Sequence, residues 1–205
     1  MKKIVFATIP MQKIEAQHYV CGENKAIEYE GNTRFPINAV LAKTLKKGDE
    51  VKVVRIVTEG EFTDDNVKFQ KEELDQINSK IGANIEYVEV RAPFKETSDV
   101  VEARFRQIVG TLEKDCTILA DMTYGPKTLT PVLFFALNFA EKFFEADISH
   151  IVYGKIIFGK DKTANKNTAE LYDVTPLYYL NSLTSVMSAP DGKTALERLD
   201  KFFAL

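Results

Sequence analysis

Short apolar segments alternate along this chain with stretches whose apolar residues recur at helical spacing. No other feature limits the fold as much. The strand candidates are residues 3–8, 51–57, 85–90, 117–120 and 148–158. Between them, Phe35, Ala39, Ala42 and Leu45 share one helical face, as do Val67, Leu74, Ile77 and Ile81. A third set is Val100, Val101, Phe105, Ile108, Val109 and Leu112, and residues 132–144 are apolar nearly all round. Strand–helix alternation predicts an α/β, Rossmann-like parallel sheet with right-handed crossovers. Two regions interrupt it. Residues 12–30 alternate loosely about Cys21-Gly22-Glu23-Asn24 and predict an inserted β-hairpin. The lysine-rich stretch 159–168, with Lys160, Lys162 and Lys166, precedes residues 169–174 and predicts a second hairpin returning beside the fifth strand. That stretch is read as a solvated loop, with a lid over the ligand as the alternative. Pro176 opens a helix to about residue 189, and Asp191 caps a last one ending near Phe203. The expected division is a Rossmann-like domain over 1–175 and a helical extension over 176–205.

The chain has 205 residues, enough for one domain of this kind. A net charge of −3 and a pI near 5.6 argue against a broad basic surface for long nucleic acid, while leaving room for a small anion on a local patch. Cys21 and Cys116 are far apart and lack zinc-like spacing, which fits a reducing interior. The opening Met1-Lys2-Lys3 precedes too short an apolar run for a leader, and no segment has the ~18 apolar residues of a membrane span. The expectation is a cytoplasmic protein without a membrane partner.

The most informative segment chemically is Leu119-Ala120-Asp121-Met122-Thr123-Tyr124-Gly125-Pro126-Lys127-Thr128. It has the form of a strand, a tight loop and a helix start, where free N–H groups and the helix dipole favour an anion. In parallel sheets ligands lie beyond the carboxyl ends of the strands, where Thr8-Ile9-Pro10 and Asp121 to Lys127 both fall. The run Thr8-Ile9-Pro10-Met11-Gln12 holds no glycine, which counts against a dinucleotide fingerprint.

With Asp121-Met122-Thr123-Tyr124-Gly125-Pro126-Lys127-Thr128-Leu129, the chain resembles the CRISPR-associated Rossmann fold (CARF) family, in its branch of small CRISPR accessory proteins. The segments Arg34-Phe35-Pro36-Ile37-Asn38-Ala39, Ile151-Val152-Tyr153-Gly154 and Leu171-Tyr172-Asp173-Val174-Thr175-Pro176-Leu177 support the likeness, which spans residues 1 to about 183. The resemblance implies a homodimer that holds a cyclic oligoadenylate, the second messenger of type III CRISPR defence, across its two-fold axis. It places Thr8, Ile9, Pro10, Met11 and Gln12 of the first-strand loop against the ligand. Asp121, Thr123, Tyr124, Gly125, Pro126, Lys127 and Thr128 contribute from the fourth. The four-adenylate ring is the expected ligand and the six-adenylate ring the alternative. Larger relatives carry an effector, commonly a ribonuclease with arginine and histidine four to six residues apart. Here no arginine precedes His18, and the last before His150 is Arg106, so no effector domain is expected.

Two functions fit that likeness. A ring nuclease would let a ribose 2′-OH attack the adjacent phosphate, with no metal or cofactor. Lys127 and the Gly125 loop would steady the charge, and Thr123, Tyr124 or Gln12 would orient the hydroxyl. A sensor would bind the ring and pass the change to a separate CRISPR effector. A Rossmann-like enzyme acting on another nucleotide is the third reading. The plainer alternatives are a loop-capping Asp121, a solvated Lys127 and a Tyr124 that packs instead of stacking on adenine. His150 is expected to be structural, His18 to lie at the surface, and the phenylalanines of residues 134–144 to form core or dimer surface.

Overall fold

The computed structural model describes residues 1–156 and 169–204. By its packing the chain divides into Met1–Thr175 and Pro176–Leu205. The first unit holds strands β1 (Lys2–Ile9), β2 (Glu50–Thr58), β3 (Asn84–Ala92), β4 (Thr117–Asp121), β5 (Asp147–Lys155) and β6 (Glu170–Asp173). Its helices are α1 (Pro36–Thr44), α2 (Thr63–Asn78), α3 (Ser98–Val109) and α4 (Leu129–Phe144). The strands form one sheet in the order β3-β2-β1-β4-β5-β6, parallel except for the antiparallel β5–β6 pair. This is a Rossmann-like α/β architecture.

Beyond its first residue, β1 is buried along its whole length, as expected of a central parallel strand covered on both faces. Its side chains alternate between the two covers. Val5, Ala7 and Ile9 join Val40 and Leu41 of α1 and Leu74 of α2 in one core cluster. Ile4 and Phe6 point the other way, the side on which right-handed crossovers place α3 and α4, whose Ile108, Leu133 and Leu137 are buried. Leu45, Ile81 and Leu112 lie just beyond their helices and still contribute apolar surface. At the amino end of the sheet Lys3 is buried and paired with Asp49 at 2.6 Å, its ammonium also donating to the Thr44 carbonyl. A cavity of ≈ 300 Å³ at that end is lined by Lys2, Glu50, Lys52 and Glu113, far from the carboxyl ends of the strands.

The hairpin expected over 12–30 does not form. The segment is irregular, with a single 3₁₀ turn at Lys25–Ile27 capped by the Asn24 side chain. Gln17 bridges Thr33, while Val20 bridges Glu170 in the parallel sense, so its β-like residues serve as edges for other parts of the chain. The Glu28 carboxylate takes the Cys21 N–H at 2.6 Å, a local bond that competes with a ladder. The second hairpin is present as the β5–β6 pair. The lysine-rich stretch and the expected strand end at 158 fall at 157–168, outside the described residues.

Helix α5 (Thr175–Val186) starts on the last residue of the first unit and otherwise belongs to the second, as does α6 (Gly192–Phe203). Asp191 caps α6 by accepting the Thr194 N–H at 2.8 Å. No helix among the described residues is long and apolar enough to cross a membrane.

Candidate functional site

Strand order reverses between β1 and β4, so the loops leaving their carboxyl ends diverge to opposite faces and open a crevice. The β1 loop is Pro10 to Gln12 and the β4 loop is Met122 to Thr128. Asp121, the last residue of β4, is fully buried at 0% exposure beneath them. Its carboxylate accepts from the Thr8 hydroxyl at 3.0 Å, from the Thr123 N–H at 2.9 Å, and from the Thr123 hydroxyl. Thr8 in turn accepts the Tyr124 N–H at 3.1 Å, and Thr123 accepts the Gly154 N–H at 2.9 Å. Three strands are thereby locked to one loop. Burial pushes the Asp121 carboxyl up to about 6, against the pull of the Thr123 and Thr8 hydrogen bonds.

Several residues expected to touch the ligand lie buried in or beside that latch. Asp121, Thr8 and Ile9 are sealed inside the chain and act by positioning the loops; Pro10 and Pro126 are buried too. Of the residues assigned to orient a hydroxyl, Thr123 and Tyr124 have theirs engaged in the fold. Tyr124 is half-buried and donates to the Arg34 carbonyl at 3.2 Å, beside the buried Tyr19, whose hydroxyl points to the same oxygen at 3.5 Å. Burial drives both phenols well above their ordinary range. The groups left at the surface are Gln12, Gly125 and Lys127, with Met11 and Thr128 partly covered. Gly125 has φ +108°, and a Cβ there would lie 2.6 Å from Leu129, so this turn requires glycine.

The helix start is less open than the sequence suggests. Leu129 gives its N–H to the Pro126 carbonyl at 2.9 Å, and Pro131 has none to offer. The Thr128 N–H meets the carboxylate of Glu96 at 3.1 Å. Glu96 lies in the β3–α3 loop, and no local pattern ties it to a helix 32 residues later. An internal anion thus sits where an external one was expected, in keeping with the helix dipole. Beneath the same loop the Arg104 guanidinium is buried and reaches the Pro93 carbonyl at 3.5 Å.

The β1 loop is fixed from the other side. Asn66 of α2, buried, donates to the Pro10 and Gln12 carbonyls, each at 2.8 Å, and Phe62 N–H donates to Met11 O at 3.2 Å. Glu73 of α2 accepts the Arg34 N–H at 2.8 Å and the Asn38 amide at 2.9 Å, covering the start of α1. Burial raises the Glu73 carboxyl despite these bonds. Sequence reasoning found neither Asn66 nor Glu73, since both look like ordinary polar positions of an amphipathic helix.

The histidines supply none of the bonds of the Asp121 latch. His150 pairs with Asp173 at 2.8 Å, and Asn24 and Thr175 also donate to Asp173. Burial opposes that carboxylate's charge, but the bonds outweigh it and hold its pKa down to about 2. His18 is half-buried. Both cysteines are free and buried. Among the described residues no cluster of three or more His, Cys, Asp or Glu is placed to hold a metal ion.

Fold and crevice define a Rossmann-like α/β protein with a rigidly held loop pair at its strand-order switch point. No protein-family model matches the chain, and a search among curated proteins finds no match.

Proposed function

We propose that this protein binds a cyclic oligoadenylate, four adenylates in preference to six, across a homodimer. The observation that carries the reading is the Asp121 latch: a buried carboxylate ties Thr8 and Thr123 together and holds Gly125 and Lys127 out over the crevice. A ligand of several phosphates suits a site whose cation stands on a rigid, glycine-turned loop, because little ordering remains to be done on binding. The dimer reading rests on α4, whose Pro131, Phe135, Phe139 and Phe143 recur every four residues from the site loop outward. Phe135 and Phe143 are 62% and 58% exposed. A two-fold contact along that stripe would bring two β4 loops toward one symmetric ring.

Engagement of the Thr123 and Tyr124 hydroxyls favours sensing, with a separate effector as reader, over fast cleavage. Slow ring-nuclease activity is the second reading, supported by the exposure of Lys127 and Gln12. In that step a 2′-oxygen bonds to the adjacent phosphorus and the P–O5′ bond breaks. The 2′-hydroxyl proton passes to the departing 5′-oxygen, leaving a 2′,3′-cyclic phosphate. Lys127 would offset the charge of the five-coordinate state. Incubating excess protein with cyclic tetra- and hexa-adenylate in EDTA separates the cases. Linear products ending in cyclic phosphate indicate cleavage, an intact ring co-eluting with protein indicates sensing, and no retention of either ring removes the proposal.

A further inference from the structure

Behind the β1 loop lies a cleft of ≈ 420 Å³, within the roughly 300–1,000 Å³ of small-molecule pockets. Its walls are residues 13–16, Arg34, and Phe62, Asn66 and Phe69 at the start of α2. The Arg34 guanidinium lies 4.8 Å from the centre of the Phe69 ring, and Phe69 is 37% exposed. Charge says what such a cleft suits. Lys13 and Arg34 are balanced by Glu15 and Asp65, so the walls offer no net attraction for a free phosphate. The Arg34 guanidinium, ion-paired with Glu73 at 3.8 Å, already stacks on the Phe69 ring, and the outer faces of this pair make a flat wall suited to a heterocycle.

The cleft is also tied to both candidate loops. Asn66 pins Pro10 and Gln12 from within its wall, and the Arg34 carbonyl receives the Tyr124 hydroxyl of the β4 loop. A phosphate at the crevice would therefore have a stacking wall held in fixed register beside it. We infer that this cleft is a nucleobase subsite, taking a purine ring of the nucleotide whose phosphate rests on the β1 and β4 loops. The inference rests on the nucleotide reading of the crevice, and the test separates the two.

The chain has no tryptophan, so Phe69→Trp creates a single fluorescent reporter in the cleft. Lys47→Trp, exposed in the α1–β2 loop at the amino end of the sheet, is the remote control. The probes are AMP, cyclic tetra-adenylate and ribose 5-phosphate, which lacks the base. The expected result is saturable quenching of the Phe69→Trp protein by the first two and none by the third, with Lys47→Trp silent. Phe69→Ala should retain cyclic tetra-adenylate about tenfold more weakly in equilibrium dialysis. Full affinity in Phe69→Ala together with an unquenched Phe69→Trp would overturn the subsite and leave the oligoadenylate reading standing. Quenching by AMP while the unmodified protein fails to retain cyclic tetra-adenylate would do the reverse. If no probe quenches and none is retained, both fall.

Discussion

Asp121 shows how one buried group organises this surface. Its native carboxyl keeps a proton up to about pH 6, whereas an unfolded aspartate releases it near 3.8. The native state therefore binds more protons between those values, and this group's contribution to stability falls as pH rises through that window. A shift of about two units corresponds to about 3 kcal/mol. Urea unfolding of wild type and Asp121→Asn from pH 4 to 7 should show the wild type losing ground to the variant by about that amount; parallel profiles would refute the assignment. Glu96 acts at the same loop from outside. Glu96→Gln keeps an acceptor for the Thr128 N–H and removes a negative charge from the helix start. Filter binding should then show cyclic tetra-adenylate held several-fold more tightly, at a stability cost under about 1 kcal/mol. Lys127→Ala should weaken the same binding by about 1.5–3 kcal/mol, roughly 10- to 150-fold, with the melting temperature unchanged.

Among the elements, the contact of α1 with β5 is the tightest constraint. Gly154 is the next-to-last residue of β5, and a Cβ there would lie 2.2 Å from Pro36 Cγ and 3.2 Å from the Tyr19 ring. The strand has glycine at this point because the first turn of α1 lies directly on it. Gly154→Ala must push that turn outward, disturbing the Thr123 bond to the Gly154 N–H as well. Chemical denaturation should register a loss of about 1–3 kcal/mol, the usual cost of overpacking. A loss below 0.5 kcal/mol would mean that Pro36 yields freely.

For the molecule as a whole, the proposed dimer rests on the exposed side of α4. Together with α3 it borders an apolar groove of ≈ 760 Å³, lined in part by Phe105, Phe135 and Phe139. Phe135→Glu leaves the α4 core residues Leu133 and Leu137 untouched and places a charge on the outer stripe. Light scattering coupled to gel filtration should report a dimer for the wild type and a monomer for the variant, whose ligand affinity should fall with it. A wild-type monomer at all concentrations would refute the two-fold arrangement.

The fold was legible because its signals are local and repeated. An apolar run such as Ile4 to Ala7 calls for a strand covered on both faces, as parallel sheets provide, and the amphipathic stretches between such runs supply the cover. Both loops of the crevice could be located for the same reason, since strand ends are visible in one dimension. The partners of those loops could not. Residues 12–30 look like a hairpin by composition, yet Val20 finds its β-partner at Glu170. Glu96 reaches Thr128 and Glu73 covers Arg34 across 32 and 39 residues, and Gly154 admits Pro36 across 118. Periodicity records which face of an element is apolar. A hydrogen bond or a missing Cβ between distant segments depends on how those faces are stacked, and only the packed chain shows which of the site's polar groups are spent on the fold and which face outward.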